Sequence, residues 1–227
     1  GLDPAGMVFD MVSKDNDIYV GTKNGLYVLR EGRILKRFNK DDGLPSNMVL
    51  DLDVGIDGTL WLATANGLSK FTNSKFTNYK KKDGLPSKVV TAVHADRKNA
   101  SVIWTGSEKS GLTRFDSGGF FTYAVQDGLP SNKIRSITQN TNGELVIACY
   151  DAGVATFDGK KFRLFNEGLD DKRVITLTEG PNGAIWAGTE SAGIGILEAG
   201  KFTMIKDTDG LGPVSYTHLT LPTISRV

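Results

Sequence analysis

An internal repeat with a period of about 42 residues limits what this chain can fold into more than any other feature does. Its marker is Gly-Leu. The marker expands to Asp-Gly-Leu-Pro-Ser-Asn at 42–47 and 127–132, and to the same motif ending in Lys at 83–88. It stands as Gly1-Leu2 at the start, weakens to Glu167-Gly168-Leu169-Asp170 and returns as Asp209-Gly210-Leu211. Other columns keep step with it. Apolar pairs follow the marker: Val49/Leu52, Val90/Val93, Ile134/Ile137 and Val174/Leu177. Short apolar runs come next, Leu60-Trp61-Leu62, Ile103-Trp104, Leu145-Val146-Ile147 and Ile185-Trp186, and then glycines at 25, 67, 111, 153 and 193. Aromatic segments close the units, as at Phe76/Tyr79, Phe121/Tyr123, Phe162/Phe165 and Phe202. The units are about 1–41, 42–82, 83–126, 127–166 and 167–208, with the start of a sixth at 209–213.

A period of this size admits helical or strand repeats, and the residue types select strands. Short segments rich in Val, Ile, Phe, Tyr, Trp and Thr are broken by Gly, Asn and Asp too often for a helix of ~12 residues. None sustains an i, i+3, i+4, i+7 apolar stripe. The second unit predicts strands over 48–54, 59–63, 68–72 and 75–79, with turns at Asp57-Gly58, Asn66-Gly67 and Asn73-Ser74. Such dipeptides accept the positive φ of tight hairpins. The third unit carries a small insertion over 96–101.

Strand two of each unit is apolar without alternation, the pattern of a strand buried on both faces. A lone four-stranded meander cannot bury both faces, so the units must stack. Radial stacking of four-stranded antiparallel blades is a β-propeller, and about five blades are expected here. The small residues that end strand two (Ala63, Gly106, Ala148 and Gly188) fit a close approach between sheets. In an up-and-down blade, the loops after strands two and four lie at one end. The marker loops and the stretches 64–67, 107–111 and 189–193 should therefore share a face, opposite the Asp-Gly and Asn-Gly turns.

Composition removes several functions. Lys+Arg total 27 against 26 for Asp+Glu, a net charge of +1, which gives no field to hold a nucleic acid. No apolar run approaches the ~18 residues of a membrane span, so no membrane contact is expected within the chain. A single cysteine, Cys149, excludes a disulfide framework and a cysteine-built zinc site. No leader precedes Gly1, and the true start is expected to be missing. From Val214 the texture changes: VSYTHLTLPT reads like a translated transposon adapter, so residues 214–227 are expected to be foreign to the fold.

No G-x-S-x-G, H-E-x-x-H, P-loop or Rossmann fingerprint stands in its required context, and no catalytic residue, metal site or cofactor is expected. His94 reads as an ordinary strand residue and Cys149 as a small buried one. Asp42, Asp51, Asp53, Asp57, Asp83 and Asp127 could conceal a glycosidase pair. Yet Asp42, Asp83 and Asp127 share one repeat position, as turn-stabilising acids would. Asp57 to Trp61 loosely resembles the Asp-box of sialidases, but it reads better as a hairpin turn before a core Trp. Arg30, Arg114, Arg135 and Arg163 form no converging sialidase pattern. The strand-four aromatics read as blade packing. The best binding candidates vary while their neighbours repeat: Asn47, Lys88, Asn132 and Lys172. These are expected near the start of the inner strands, where amide and ammonium groups suit a polar ligand such as an oligosaccharide.

The columns D-G-L-P-S-N, V-x-x-I/L, D-x-x-G-x-L-W and G-L-x-x-F resemble the two-component regulator propeller repeat. The resemblance spans roughly 1–213 and departs at Asp170, where Pro is expected, and at Val146, where Trp is expected. It implies an extracytoplasmic, periplasmic sensor region of a hybrid histidine kinase, a fragment of a seven-bladed propeller. It also implies a kinase region in the same parent chain, an oligosaccharide ligand and room for a dimer of the parent. The expected function is non-catalytic ligand sensing. The alternatives are a propeller glycoside hydrolase or sialidase-like enzyme, and a protein-binding scaffold.

Overall fold

The structure is a computed structural model that describes residues 7–180, 182–206 and 209. Residues 214–227, expected above to be foreign, lie outside the described residues. The chain is an all-β propeller of five four-stranded antiparallel blades, each an up-and-down meander. Blade 1 is β1 (Val8–Lys14), β2 (Asp17–Thr22), β3 (Gly25–Arg30) and β4 (Arg33–Phe38); blade 2 is β5 (Val49–Val54), β6 (Leu60–Thr64), β7 (Gly67–Thr72) and β8 (Lys75–Tyr79). Blade 3 is β9 (Ala92–Ala95), β10 (Ile103–Gly106), β11 (Leu112–Asp116) and β12 (Gly119–Tyr123). Blade 4 is β13 (Ile134–Gln139), β14 (Leu145–Cys149), β15 (Gly153–Phe157) and β16 (Phe162–Phe165); blade 5 is β17 (Val174–Glu179), β18 (Ile185–Thr189), β19 (Ile194–Glu198) and β20 (Lys201–Ile205). One compact unit runs to Thr122 and carries blades 1 to 3; a second runs from Tyr123 and carries blades 4 and 5.

The unalternating strand two is explained by two separate cores. On one face of blade 2, Leu60 and Leu62 pack with Leu26, Val28 and Phe38 of blade 1. On the other face, Trp61 and Ala63 pack with Val90, Val93 and Ile103 of blade 3. All five residues of β6 are buried. In the second unit, Val146, Ala148 and Val154 of blade 4 meet Val174, Leu177, Ile185 and Ala187 of blade 5. Small residues at the end of strand two permit this stacking. At the equivalent place in blade 1, a Cβ on Gly21 would lie 3.0 Å from Val49 Cγ1.

The marker leucine plugs the seam between blades. Leu44 joins the blade 1–2 core, Leu85 the blade 2–3 core and Leu169 the blade 4–5 core. Before it, the chain makes a 3-10 turn at Lys40–Asp42, Lys81–Asp83 and Val125–Asp127, where the residue types predict only a loop. The recurring acid closes each turn: Asp42, Asp83 and Asp127 each accept the backbone N–H of Asn39, Lys80 and Ala124 through Oδ2 at 2.9 Å. Asp209 accepts from Lys206 in the same way at 2.9 Å. The loop into blade 5 departs from this scheme. Phe165 precedes Gly168 by two residues fewer than Tyr79 precedes Gly84, so no room is left for the turn. The insertion in blade 3 folds on itself: Asp96 Oδ1 accepts from Lys98 N–H at 2.9 Å and from Asn99 N–H at 3.0 Å.

Candidate functional site

The marker loop into a blade and the loop after its strand two do meet, as the up-and-down order requires. In blade 2, Asn66 Nδ2 donates to Pro45 O at 3.0 Å. In blade 4, Lys133 Nζ pairs with Asp151 at 2.8 Å, and the Ser131 hydroxyl donates to the same carboxylate. These two partners hold the Asp151 carboxyl below its usual value. In blade 5, Ser191 Oγ donates to Asp171 Oδ2 at 2.7 Å, and Arg173 bridges Asp171 and Glu190. Tyr150 of blade 4 donates its phenol to Glu190 of blade 5 at 3.0 Å, while the Arg135 guanidinium lies 4.9 Å from the Tyr150 ring centroid.

The four candidate binding residues each sit in a marker loop. Asn47 Oδ1 accepts from Lys40 N–H at 2.9 Å, and Asn132 Oδ1 accepts from Val125 N–H at 3.1 Å. Each amide oxygen thus ties the marker loop back to its 3-10 turn, and a ligand would meet the Nδ2 end. Lys88 and Lys172 are exposed. Among the described residues no hydrogen bond or ion pair joins Asn47 to Lys88, or Asn132 to Lys172; within each unit they share a repeat position rather than a contact. Tyr150 and Glu190 were missed by the sequence reading. Their signal was present: Lys23, Ala65, Tyr150 and Glu190 follow strand two at a position that varies while the residue before it is mostly Thr.

The innermost strands carry a second cluster. An inner strand is a sheet edge, and every other N–H on it points away from its own sheet and needs an acceptor. Side chains of the preceding blade supply them. Asp10 Oδ2 accepts from Leu52 N–H at 2.6 Å, and Asp51 Oδ2 accepts from Val93 N–H at 2.7 Å, each across 42 residues of sequence. Asp53 Oδ2 accepts from Ala95 N–H at 2.9 Å and lies 2.9 Å from His94 Nδ1. In the second unit, Ser136 Oγ accepts from Leu177 N–H at 3.2 Å. A β-bulge precedes Asp10, Asp51 and Ser136 alike and turns each side chain toward the next blade. His94 is therefore a buried strand residue paired to a strap carboxylate, and Cys149 is fully buried, its thiol pushed up to about 12 by loss of water.

Asp51 also shares a hydrogen bond with Asp10. Loss of water, then the Asp10 charge, hold the Asp51 carboxyl well above the usual carboxylate range. The folded state therefore favours protonated Asp51. Its contribution to stability is fully present below the unfolded value of ~3.9 and is lost as pH rises through the raised folded value. Asp51→Asn keeps an oxygen for Val93 N–H and replaces the shared proton with an amide hydrogen. The melting temperature of the variant is expected to exceed that of the wild type by a margin that widens from pH 5 to pH 8. A margin that stays constant over that range would refute the shared proton.

The other acids first suspected of catalysis have structural work. Asp42, Asp83 and Asp127 close turns as described, and Asp57 accepts from Thr59 N–H at 2.9 Å and from Thr59 Oγ1 at 2.8 Å. In blade 2 the strand-four aromatics serve packing as expected, whereas Phe121 of β12 is exposed. Phe76 lies 5.4 Å from Phe38 between ring centroids, and Tyr79 stacks on Trp61 at 6.1 Å. Among the described residues no group of three or more His, Cys, Asp or Glu could hold a metal ion, and no helix is long and apolar enough to cross a membrane.

Blades of this kind, stitched at their inner edges and presenting paired loops at one end, define a β-propeller. No protein-family model matches the sequence, and no curated protein matches it. Solved structures do match in fold. The extracellular domain of BT3049 from B. thetaiotaomicron, described as a hybrid two-component system, superposes with a TM-score of 0.74 at 20% identity, over 87% of this chain and 29% of that one. The extracellular domain of BT4673 from the same organism gives 0.67 at 22% identity, over 81% of this chain and 26% of that one. Virginiamycin B lyase from Staphylococcus aureus gives 0.72 at 16% identity, over 88% of this chain and 70% of that one. The chain thus spans less than a third of the two ectodomains, which are proteins of the kind its repeat resembles.

Proposed function

We propose that this chain is a non-catalytic ligand-sensing propeller, a piece of the periplasmic sensor region of a hybrid two-component histidine kinase that responds to polysaccharide-derived ligands. The observation that carries the reading is the marker repeat itself. Its columns resemble the regulator propeller repeat, and they build blades that superpose on the extracellular domains of two such systems. The acids that an enzyme reading would need are engaged in turns and blade straps, which favours binding over hydrolysis. On this reading an oligosaccharide meets the marker loops through Asn47 and Lys88 of the first compact unit or Asn132 and Lys172 of the second, and the kinase region of the parent chain receives the signal.

Titration of the chain with a panel of neutral oligosaccharides, alongside the variants Lys88→Ala and Lys172→Ala, tests the reading. A saturable ligand whose affinity falls about tenfold in at least one variant is expected, a loss equal to ~1.4 kcal/mol. Turnover of model glycosides by the wild type, or a panel without any ligand, overturns it.

A further inference from the structure

At the hairpin end of the first unit, away from the marker loops, blades 1 and 2 leave a cleft of about 520 Å³. Its inner wall is aromatic: the rings of Tyr19 and Phe71 meet edge to face, with centroids 6.4 Å apart. Its rim is polar and comes from three turns, bringing Lys14, Asp15, Asp57 and Asn73 to one opening. The Lys14 stem reaches across to blade 2, where Cε lies 3.8 Å from the place a Cβ on Gly58 would occupy. Its ammonium is paired with Asp15 at 2.9 Å. Both Asp57 oxygens are held by Thr59.

Backbone conformation marks the same rim. Asp15, Asn73 and Ser74 have φ of 55°, 51° and 60°, three of the five non-glycine residues with positive φ among those described. Glycine would adopt these conformations at no steric cost. Polar side chains stand there instead.

We propose that this cleft binds a neutral cyclic polyol, a ring with an apolar face and a hydroxylated edge. An apolar ligand would take water from the rim groups and return no hydrogen bond, at a cost in desolvation. A small inorganic ion would leave the aromatic wall uncovered. An anion meets Asp15 and Asp57 against one ammonium that Asp15 already neutralises. A flat polyol satisfies wall and rim together, and the cleft falls within the size range of small-molecule sites. The inference goes beyond the sensor reading and does not depend on it, because the cleft lies at the opposite end of the blades from Lys88.

The test uses the full chain, with methyl β-glucoside and myo-inositol as neutral probes and glucuronate as the anionic comparison, followed by NMR titration. Two variants spare the fold. Asn73→Gly suits the positive φ and removes the amide, and Lys14→Met keeps the apolar stem and removes the ammonium. At least one neutral probe is expected to bind, more tightly than glucuronate, and to weaken at least fivefold in each variant. The proposal is overturned if neither neutral probe binds or if glucuronate binds better. It is equally overturned if binding survives both substitutions and falls instead with Lys88→Ala, which would place the ligand at the marker loops.

Discussion

Replacing Trp61 with alanine is expected to cost about 3–5 kcal/mol, because a large side chain leaves a well-packed seam and its neighbours can collapse only in part. Trp61 is 5% exposed and belongs to the core shared by blades 2 and 3. Tyr79 stacks on it at 6.1 Å, and Phe115 meets it edge-on at 6.1 Å. Thermal unfolding followed by circular dichroism should report a midpoint lowered by roughly 6–20 °C. Trp61→Phe retains most of the contact and should fall between the wild type and Trp61→Ala. A midpoint for Trp61→Ala within 2 °C of the wild type would mean that the two blades do not share this core.

The second large effect is expected at Gly67, for a backbone reason. Gly67 opens β7 with φ of +118°, and a Cβ there would lie 2.4 Å from the carbonyl oxygen of Tyr79 at the end of β8. Gly25 and Gly193 repeat the arrangement against Phe38 O at 2.3 Å and Ile205 O at 2.2 Å. Gly67→Ala therefore adds strain of about 1–3 kcal/mol for the conformation alone. It also pushes β8 off β7, so amide hydrogen exchange should accelerate across β8 first. An alanine variant with wild-type exchange in β8 would show that this close approach does not exist. Gly58 is the contrast, because a Cβ there meets nothing nearer than Lys14 Cε at 3.8 Å. Gly58→Ala carries only the conformational penalty.

The strands of blade 2 were legible because local chemistry specifies them. Gly58 takes a positive φ at one hairpin, Asn73 and Ser74 both take one at another, and the predicted spans differ from β5 to β8 by one residue at most at either end. The double-sided burial of β6 was legible from its unbroken apolar run. The 3-10 turns were not, although Asp42, Asp83 and Asp127 were recognised as turn acids, because the bond each makes is to a backbone N–H and leaves no pattern of its own in side-chain type. Asp10 escaped notice as well. Its column holds Asp51, Ser136 and Thr176 but Ala92 in blade 3, and a position that is acidic only twice does not look like a repeat feature.

Periodicity, turn residues and apolar runs by themselves determined that this chain makes antiparallel blades and that those blades stack. These are short-range properties, set within a few residues by φ preference and side-chain burial. Which carboxylate caps which edge N–H, why the Asp51 carboxyl is pushed up, and where Tyr19 and Phe71 open a cleft were decided only in three dimensions. Each depends on the offset between neighbouring sheets, and that offset is set by packing between segments some forty or more residues apart.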